Sequence, residues 1–87
     1  MNAKQAANAA EFRNVYRTRY KTKTWMVWEY LKRYGTITQQ EAIEAFDCYR
    51  LAARIADLKQ KGERIGSTKT KDGYSQYYIV LHHGGER

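Results

Sequence analysis

The sequence of 87 residues contains no proline and a single cysteine, Cys48. One cysteine cannot form an internal disulfide bond, which favours a reducing, cytoplasmic setting. No apolar run approaches the roughly 20 residues that a membrane-spanning helix requires, and the N-terminus lacks the apolar stretch of a secretory signal. These absences argue against a disulfide-stabilised secreted domain, and they predict no membrane partner.

Residues that carry out catalysis or hold metals are also sparse. His82 and His83 stand in a glycine-containing tail without the additional histidine or cysteine that a zinc site needs. Cys48 has no histidine nearby in sequence to activate it, so it is more typical of a small buried hydrophobic residue. No glycine-rich phosphate loop is present. We therefore predict that the protein is not an enzyme and has no catalytic residues, metal or cofactor.

Basic residues, in contrast, are abundant. Lysine and arginine number 16 against 9 aspartate and glutamate residues, which gives a net charge of +7. The positive charge is concentrated in residues 13–33 and 50–71, whereas residues 35–47 are acidic. Segregated charge of this kind predicts a surface that attracts polyanions, nucleic acid before anionic membrane. The alternative is a solvated surface with an accidental excess of charge.

The spacing of apolar residues predicts three helices in the middle of the chain, at residues 22–34, 39–46 and 49–61. Thr22 or Thr24 can cap the first helix, and Gly35 follows it where a left-handed residue is commonly required. Thr38 and Glu41 match a capping box, in which each side chain bonds the other residue's backbone N–H, so the second helix begins there.

The third helix has a clear buried stripe. Leu51, Ile55 and Leu58 are spaced so that they lie on one face, and Gly62 closes the helix. Ala52 and Ala56 flank this stripe as small residues that would permit another helix to approach closely.

The hydrophobic period changes after the third helix. Residues 64–81 alternate as two strands around Asp72 and Gly73, and Asp-Gly is a strong hairpin signal. Before the helices, we expect helix only in the second half of the N-terminal segment. The chain is predicted to divide into a basic N-terminal extension, a folded domain and a flexible tail, at residues 1–21, 22–81 and 82–87.

This order of elements predicts a mainly α fold with a small β-hairpin. A helix, a short extended piece at residues 36–38, a second helix, a tight turn, a third helix and a basic hairpin follow one another as in a winged helix-turn-helix. The prediction is a three-helix core with a C-terminal wing and an N-terminal basic extension or helix. Such a domain binds double-stranded DNA by placing the third helix in the major groove and the hairpin on the backbone.

Arg50 and Arg54 are four residues apart, so we expect them to share the free face of the third helix. Each can read guanine or hold a phosphate, and the alternative for Arg54 is a pair with Asp57. The acidic residues of the second helix are expected to point away from DNA. The predicted DNA contacts are Tyr49, Arg50, Arg54, Lys61, Lys69, Lys71, Arg17, Arg19, Lys21, Lys23, Thr38 and Gln39.

The wing and the N-terminal segment each leave two interpretations. Lys69 and Lys71 flank the hairpin tip as a phosphate clamp, or they merely keep an edge strand soluble. The basic run at residues 17–23 is a candidate arm on the backbone or in a minor groove. An apolar stripe in the same segment either forms a homodimer or packs back on its own domain. Its residues are Phe12, Val15, Tyr16 and Tyr20.

Residues 35–42 (GTITQQEA) and 49–59 (YRLAARIADLK) resemble the small helix-turn-helix domain family common in bacteriophage and prophage genomes. The resemblance covers about residues 25–81, and its third-helix motif is the more specific part. It implies a winged helix that binds DNA, as a phage or prophage transcription regulator. The basic N-terminal segment departs from the shorter family pattern, so it is a candidate for an added contact or a dimer interface.

A protein-interaction module is the alternative function. Winged helices also serve as interaction domains, and a phage-type protein of this kind would bind and inhibit or adapt a host protein. The 8 tyrosines, together with abundant arginine, suit a protein interface as well as a DNA interface.

Overall fold

The computed structural model describes residues 1–16 and 21–80. This part of the chain forms a mainly helical fold with a small antiparallel sheet, as the sequence predicts. No helix in it is both long and apolar enough to cross a membrane. The elements in chain order are α1 (Ala3–Val15), α2 (Lys23–Tyr34), β1 (Thr36–Thr38), α3 (Gln39–Phe46), α4 (Leu51–Gln60), β2 (Ile65–Lys69) and β3 (Ser75–Ile79).

Helix α2 has the predicted ends. The hydroxyl of Thr22 accepts the backbone N–H of Trp25 at 3.0 Å, and Gly35 adopts the left-handed conformation with a φ of 88°. Such a φ costs glycine little because it has no Cβ. The core face of α2 is centred on Val27, Tyr30 and Leu31, which are fully buried.

The sheet places β3 between β1 and β2, and both pairings are antiparallel. Tyr77 is half-buried and Tyr78 is exposed, so the predicted alternation of the last strand is confirmed. The backbone N–H of Gly73 donates to the carbonyl of Thr70 at 2.9 Å. Gly73 has a φ of 86° but Asp72 does not have a positive φ, which excludes a type I′ turn with these two residues at its centre.

Gly66 is a point of close approach within the hairpin. It pairs with Tyr78 across the strands, and a Cβ placed on Gly66 would clash with the Cζ atom of the tyrosine ring. The ring therefore lies over the glycine backbone, which any larger residue would displace. This contact covers the glycine of β2 with an aromatic side chain.

The N-terminal helix differs from the prediction, because α1 includes the first half of the segment rather than only the second. Asn2 and Gln5 form a capping box: the side chain of Asn2 accepts the N–H of Gln5 at 2.8 Å, and the side chain of Gln5 accepts the N–H of Asn2 at 3.0 Å. The alanines that follow have the highest intrinsic helix propensity. Together these local signals start the helix at Ala3.

Helix α1 packs on the rest of the fold through Phe12, which is fully buried. Its ring stacks on Tyr16 with centroids 4.4 Å apart and lies tilted against Tyr30 and Phe46 at 5.2 and 5.4 Å. Two residues of the predicted apolar stripe, Phe12 and Tyr16, thus pack back on their own domain. Val15 is 56% exposed and takes no part in this core. Tyr20, the last member of the stripe, lies outside the described residues.

Glu41 is a buried carboxylate within this core, only 1% exposed. The predicted capping box is present, because its side chain accepts the N–H of Thr38 at 3.0 Å and its own N–H donates to the Thr38 hydroxyl at 3.2 Å. The hydroxyl of Tyr30 also donates to it at 2.6 Å. Burial raises the pKa of Glu41 above its ordinary value, and the hydrogen bonds from Tyr30 and Thr38 partly oppose this rise.

We predict that Glu41→Gln changes how stability depends on pH. Because the pKa of Glu41 is raised in the folded state, its contribution to stability is complete below the pKa of the unfolded chain and is lost as the pH rises through the folded pKa. The free energy of unfolding of the wild type should therefore fall relative to Glu41→Gln from about pH 4 upward. Denaturant melts across this range measure it. Exposed Glu44→Gln is the control, and a wild-type-to-Glu41→Gln difference that is constant with pH would contradict the prediction.

Candidate nucleic-acid interface

The turn between α3 and α4 is longer than predicted, because α4 begins at Leu51 rather than at Tyr49. Asp47 ends α3 in the left-handed conformation, with a φ of 57°. Gln39 then fastens the turn: its side-chain oxygen accepts the N–H of Leu51 at 3.1 Å, and its amide N–H donates to the carbonyl of Cys48 at 2.6 Å. Tyr49 is therefore presented from the turn, where it is 68% exposed.

The buried face of α4 is the predicted one, since Leu51, Ile55 and Leu58 all lie in the core. The prediction for its flanks is wrong. Ala52 and Ala56 are exposed to solvent and do not face another helix. The exposed surface of α4 therefore carries two small residues, Ala52 and Ala56, followed by Lys59 and Gln60 at its end.

The two arginines do not share a free face of α4. Arg50 precedes the helix as its N-cap residue and is exposed. Arg54 pairs with Asp57 at 3.3 Å, and the same Asp57 oxygen accepts the hydroxyl of Thr24 on α2 at 3.3 Å. The alternative in which Arg54 pairs with Asp57 is thus the arrangement in the structure. A partly exposed pair of this kind contributes at most about 1 kcal/mol, so its main effect is to orient the guanidinium.

The remaining predicted site residues are distributed over several places. Lys69 and Lys71 are exposed at the wing tip, and Lys61 is exposed at the opposite end of α4 from Arg50. Thr38 is 5% exposed and its hydroxyl is engaged in the capping box, so it acts on the interface only through the position of α3. Gln39 likewise has both polar ends of its side chain engaged within the turn.

The predicted basic arm is described only at its end. The ammonium of Lys23 donates to the carbonyl of Phe46 at 2.8 Å, which satisfies the C-terminal end of α3. The ammonium of Lys21 lies 5.0 Å from the centre of the Trp25 ring. Arg17 and Arg19 lie outside the described residues. In the described part, the arm therefore contacts its own domain.

A cleft of about 790 Å³ separates the start of α4 from the wing tip, and we call it the wing cleft. The starts of α1 and α3 complete its walls. It brings together three predicted site residues, Thr38, Gln39 and Lys71. Sequence reasoning missed its other polar residues, because the cleft forms only when four separate elements meet. They include Asn2, Gln5, Gln40, Ser75 and Gln76.

Other groups capable of metal binding or catalysis are sparse within residues 1–16 and 21–80. These residues contain no cluster of three or more His, Cys, Asp or Glu side chains that could hold a metal ion. Cys48 is a free thiol and is buried, as expected for a small hydrophobic residue.

Comparison with protein families identifies a winged helix-turn-helix domain model that matches residues 22–79, two thirds of the chain. The match runs from the start of α2 to the end of β3, so α1 lies outside it. Comparisons with curated proteins and with solved structures found no match. Winged helix-turn-helix domains are typically DNA-binding modules without enzymatic activity.

We predict that Gln39→Ala lowers the free energy of unfolding by about 1–3 kcal/mol, because it leaves the N–H of Leu51 and the carbonyl of Cys48 without their partner. The neighbouring Gln40→Ala, at an exposed position in the same helical turn, should stay within about 0.5 kcal/mol of wild type. Thermal or denaturant unfolding of the two variants measures the contrast. Equal effects would show that Gln39 does not hold the turn.

Proposed function

The chain belongs to the winged helix-turn-helix domain family, and we propose that it binds duplex DNA with α4 in the major groove and the β2–β3 hairpin on the adjacent backbone. One observation carries the proposal: the free start of α4 and the lysine-bearing wing tip stand on either side of one cleft. The net charge of +7 favours the approach of a polyanion to this surface.

The free surface of α4 suits insertion into a groove. A helix with its side chains is about 10–12 Å across, close to the width of the major groove. Exposed Ala52 and Ala56 add little to that width, so the helix axis can approach the base edges closely. Tyr49 and Arg50 extend from the same end and supply the hydrogen-bonding groups. We propose that base reading is concentrated there.

The more specific form of the proposal is a cytoplasmic regulator of phage or prophage genes. It is supported by the motifs of α3 and α4 described above and by the single cysteine, which fits a reducing compartment. The rival function, a module that binds a host protein, differs from it in its response to salt, because protein interfaces do not release the counterions condensed on DNA.

We predict that affinity for a duplex falls steeply with salt and that Lys71→Gln makes the fall less steep. Each phosphate neutralised contributes about 0.9 to the slope of log K against log salt, so loss of the Lys71 contact should reduce the slope by about that amount. Lys32→Gln is the matched control, because Lys32 is paired with Glu29 at 2.8 Å on α2. Fluorescence anisotropy over a salt series measures both slopes. Absent duplex binding, or binding insensitive to salt, would refute the proposed function.

We predict that Arg50→Ala relaxes base preference at a cost of about 1–3 kcal/mol for the preferred sequence, because its exposed guanidinium lies at the end of α4 that enters the groove. Arg54→Ala should leave the preferred sequence unchanged, since Arg54 is only partly exposed and its guanidinium is oriented towards Asp57. Selection of bound sequences from random duplexes by each variant tests this. If Arg54→Ala changed the preferred sequence and Arg50→Ala did not, base reading would lie at Arg54 within α4 rather than at Arg50 in the turn.

A further inference from the structure

Helix α1 is not an appendage on the domain but a fixed part of it. Its start lies beside the start of α3, because the side chain of Gln5 donates to Glu41 at 3.5 Å. Its end lies beside the end of α3, where Arg13 contacts Asp47 at 3.0 Å and donates to the carbonyl of Glu44 at 2.7 Å. The two helices therefore run in the same direction, and both begin at the wing cleft.

From this placement we propose that α1 is a third wall of the DNA-binding surface, so that one sugar–phosphate strand of the duplex lies in the wing cleft between the first turn of α1 and the wing tip. The inference rests on the proposed function and deepens it. The family match begins after α1, so it assigns no role to this helix.

The chemistry of the cleft fits a phosphodiester strand. Its polar lining is dominated by amide and hydroxyl side chains, and Lys71 supplies a positive charge on the wing side. Asp72 is the one carboxylate that lines it in the described part of the chain. Asp72 offsets the charge of Lys71, so the fit rests mainly on the amide and hydroxyl donors, which proteins use to contact DNA phosphates and sugars.

The size of the cleft is compatible with this occupant. A volume of about 790 Å³ accommodates a short stretch of one strand, but not a whole duplex, whose major groove alone is about 12 Å wide. The duplex would therefore lie across the mouth of the cleft, with one backbone inserted. A strand in this position would lie next to the free start of α4, between the first turn of α1 and the wing tip.

On the α1 side, Asn2 is the residue placed to meet that strand. Its side-chain oxygen is used by the N–H of Gln5, which caps the helix. Its amide N–H group is left available for an acceptor in the cleft that it lines. Since aspartate is as good an N-cap as asparagine, Asn2→Asp keeps the cap and places a negative charge on this wall.

The test compares Asn2→Asp with Asn14→Asp, which makes the same change in the last turn of α1, outside the cleft lining. Both variants lose one unit of net charge, so a difference in affinity between folded variants reports where the new charge lies. A charge about 4 Å from a phosphate in water-like surroundings changes binding about fivefold. We expect Asn2→Asp to bind a short mixed-sequence duplex about fivefold more weakly than Asn14→Asp at low salt, with the gap closing at high salt.

The outcomes separate this inference from the function on which it rests. Salt-dependent binding by the wild type, with equal affinities for the two variants, would overturn the role of α1 and leave DNA binding intact. Failure of the wild type to bind duplex DNA would overturn both. Melting temperatures of the two variants check that α1 remains folded, and a contrast in affinity between two equally stable variants supports the third wall.

Discussion

The buried carboxylate of Glu41 is the contact on which the rest of the domain depends. It joins the end of β1 to the start of α3 through Thr38, reaches α2 through Tyr30 and meets α1 through Gln5. Burying a carboxylate is costly unless its oxygens accept hydrogen bonds, and the donors to Glu41 come from three other elements, β1, α2 and α1. Because a neighbouring element that shifted would leave this group unsatisfied, the site fixes the arrangement of the helices as well as their packing.

That arrangement is passed on to the interface through one residue. Gln39 lies within the capping box, directly after Thr38, and its side chain bonds the carbonyl of Cys48 in the turn and the N–H of Leu51, the first residue of α4. The position of the free end of α4 therefore follows from the position of α3, which follows from Glu41. The surface proposed to contact DNA is thus held by buried polar contacts rather than by the charged side chains that would touch the nucleic acid.

Local signals in the sequence were enough to predict α2, β1, α3, the hairpin and the buried stripe of α4. The capping box of Thr38 and the left-handed glycine at Gly35 act between residues close in the chain, so their patterns can be read directly. The docking of Phe12 and the burial of Glu41 depend on where elements meet in space. The wing cleft belongs to the same class, because its walls come from distant segments. Sequence reasoning found Lys71, Thr38 and Gln39 in this cleft but not its other amide side chains, Asn2, Gln5, Gln40 and Gln76.

The position of β3 in the middle of the sheet has a consequence for how the domain forms. Ile37 on β1 finds its partner in Tyr77, about 40 residues further along the chain, so a long loop must close before the sheet is complete. The sheet is therefore complete only when the hairpin and β1 have come together. Opening of the last strand also releases β1, which leads directly into the cap of α3. Amide protons of the short first strand should accordingly exchange with solvent in the same cooperative event as those of the wing.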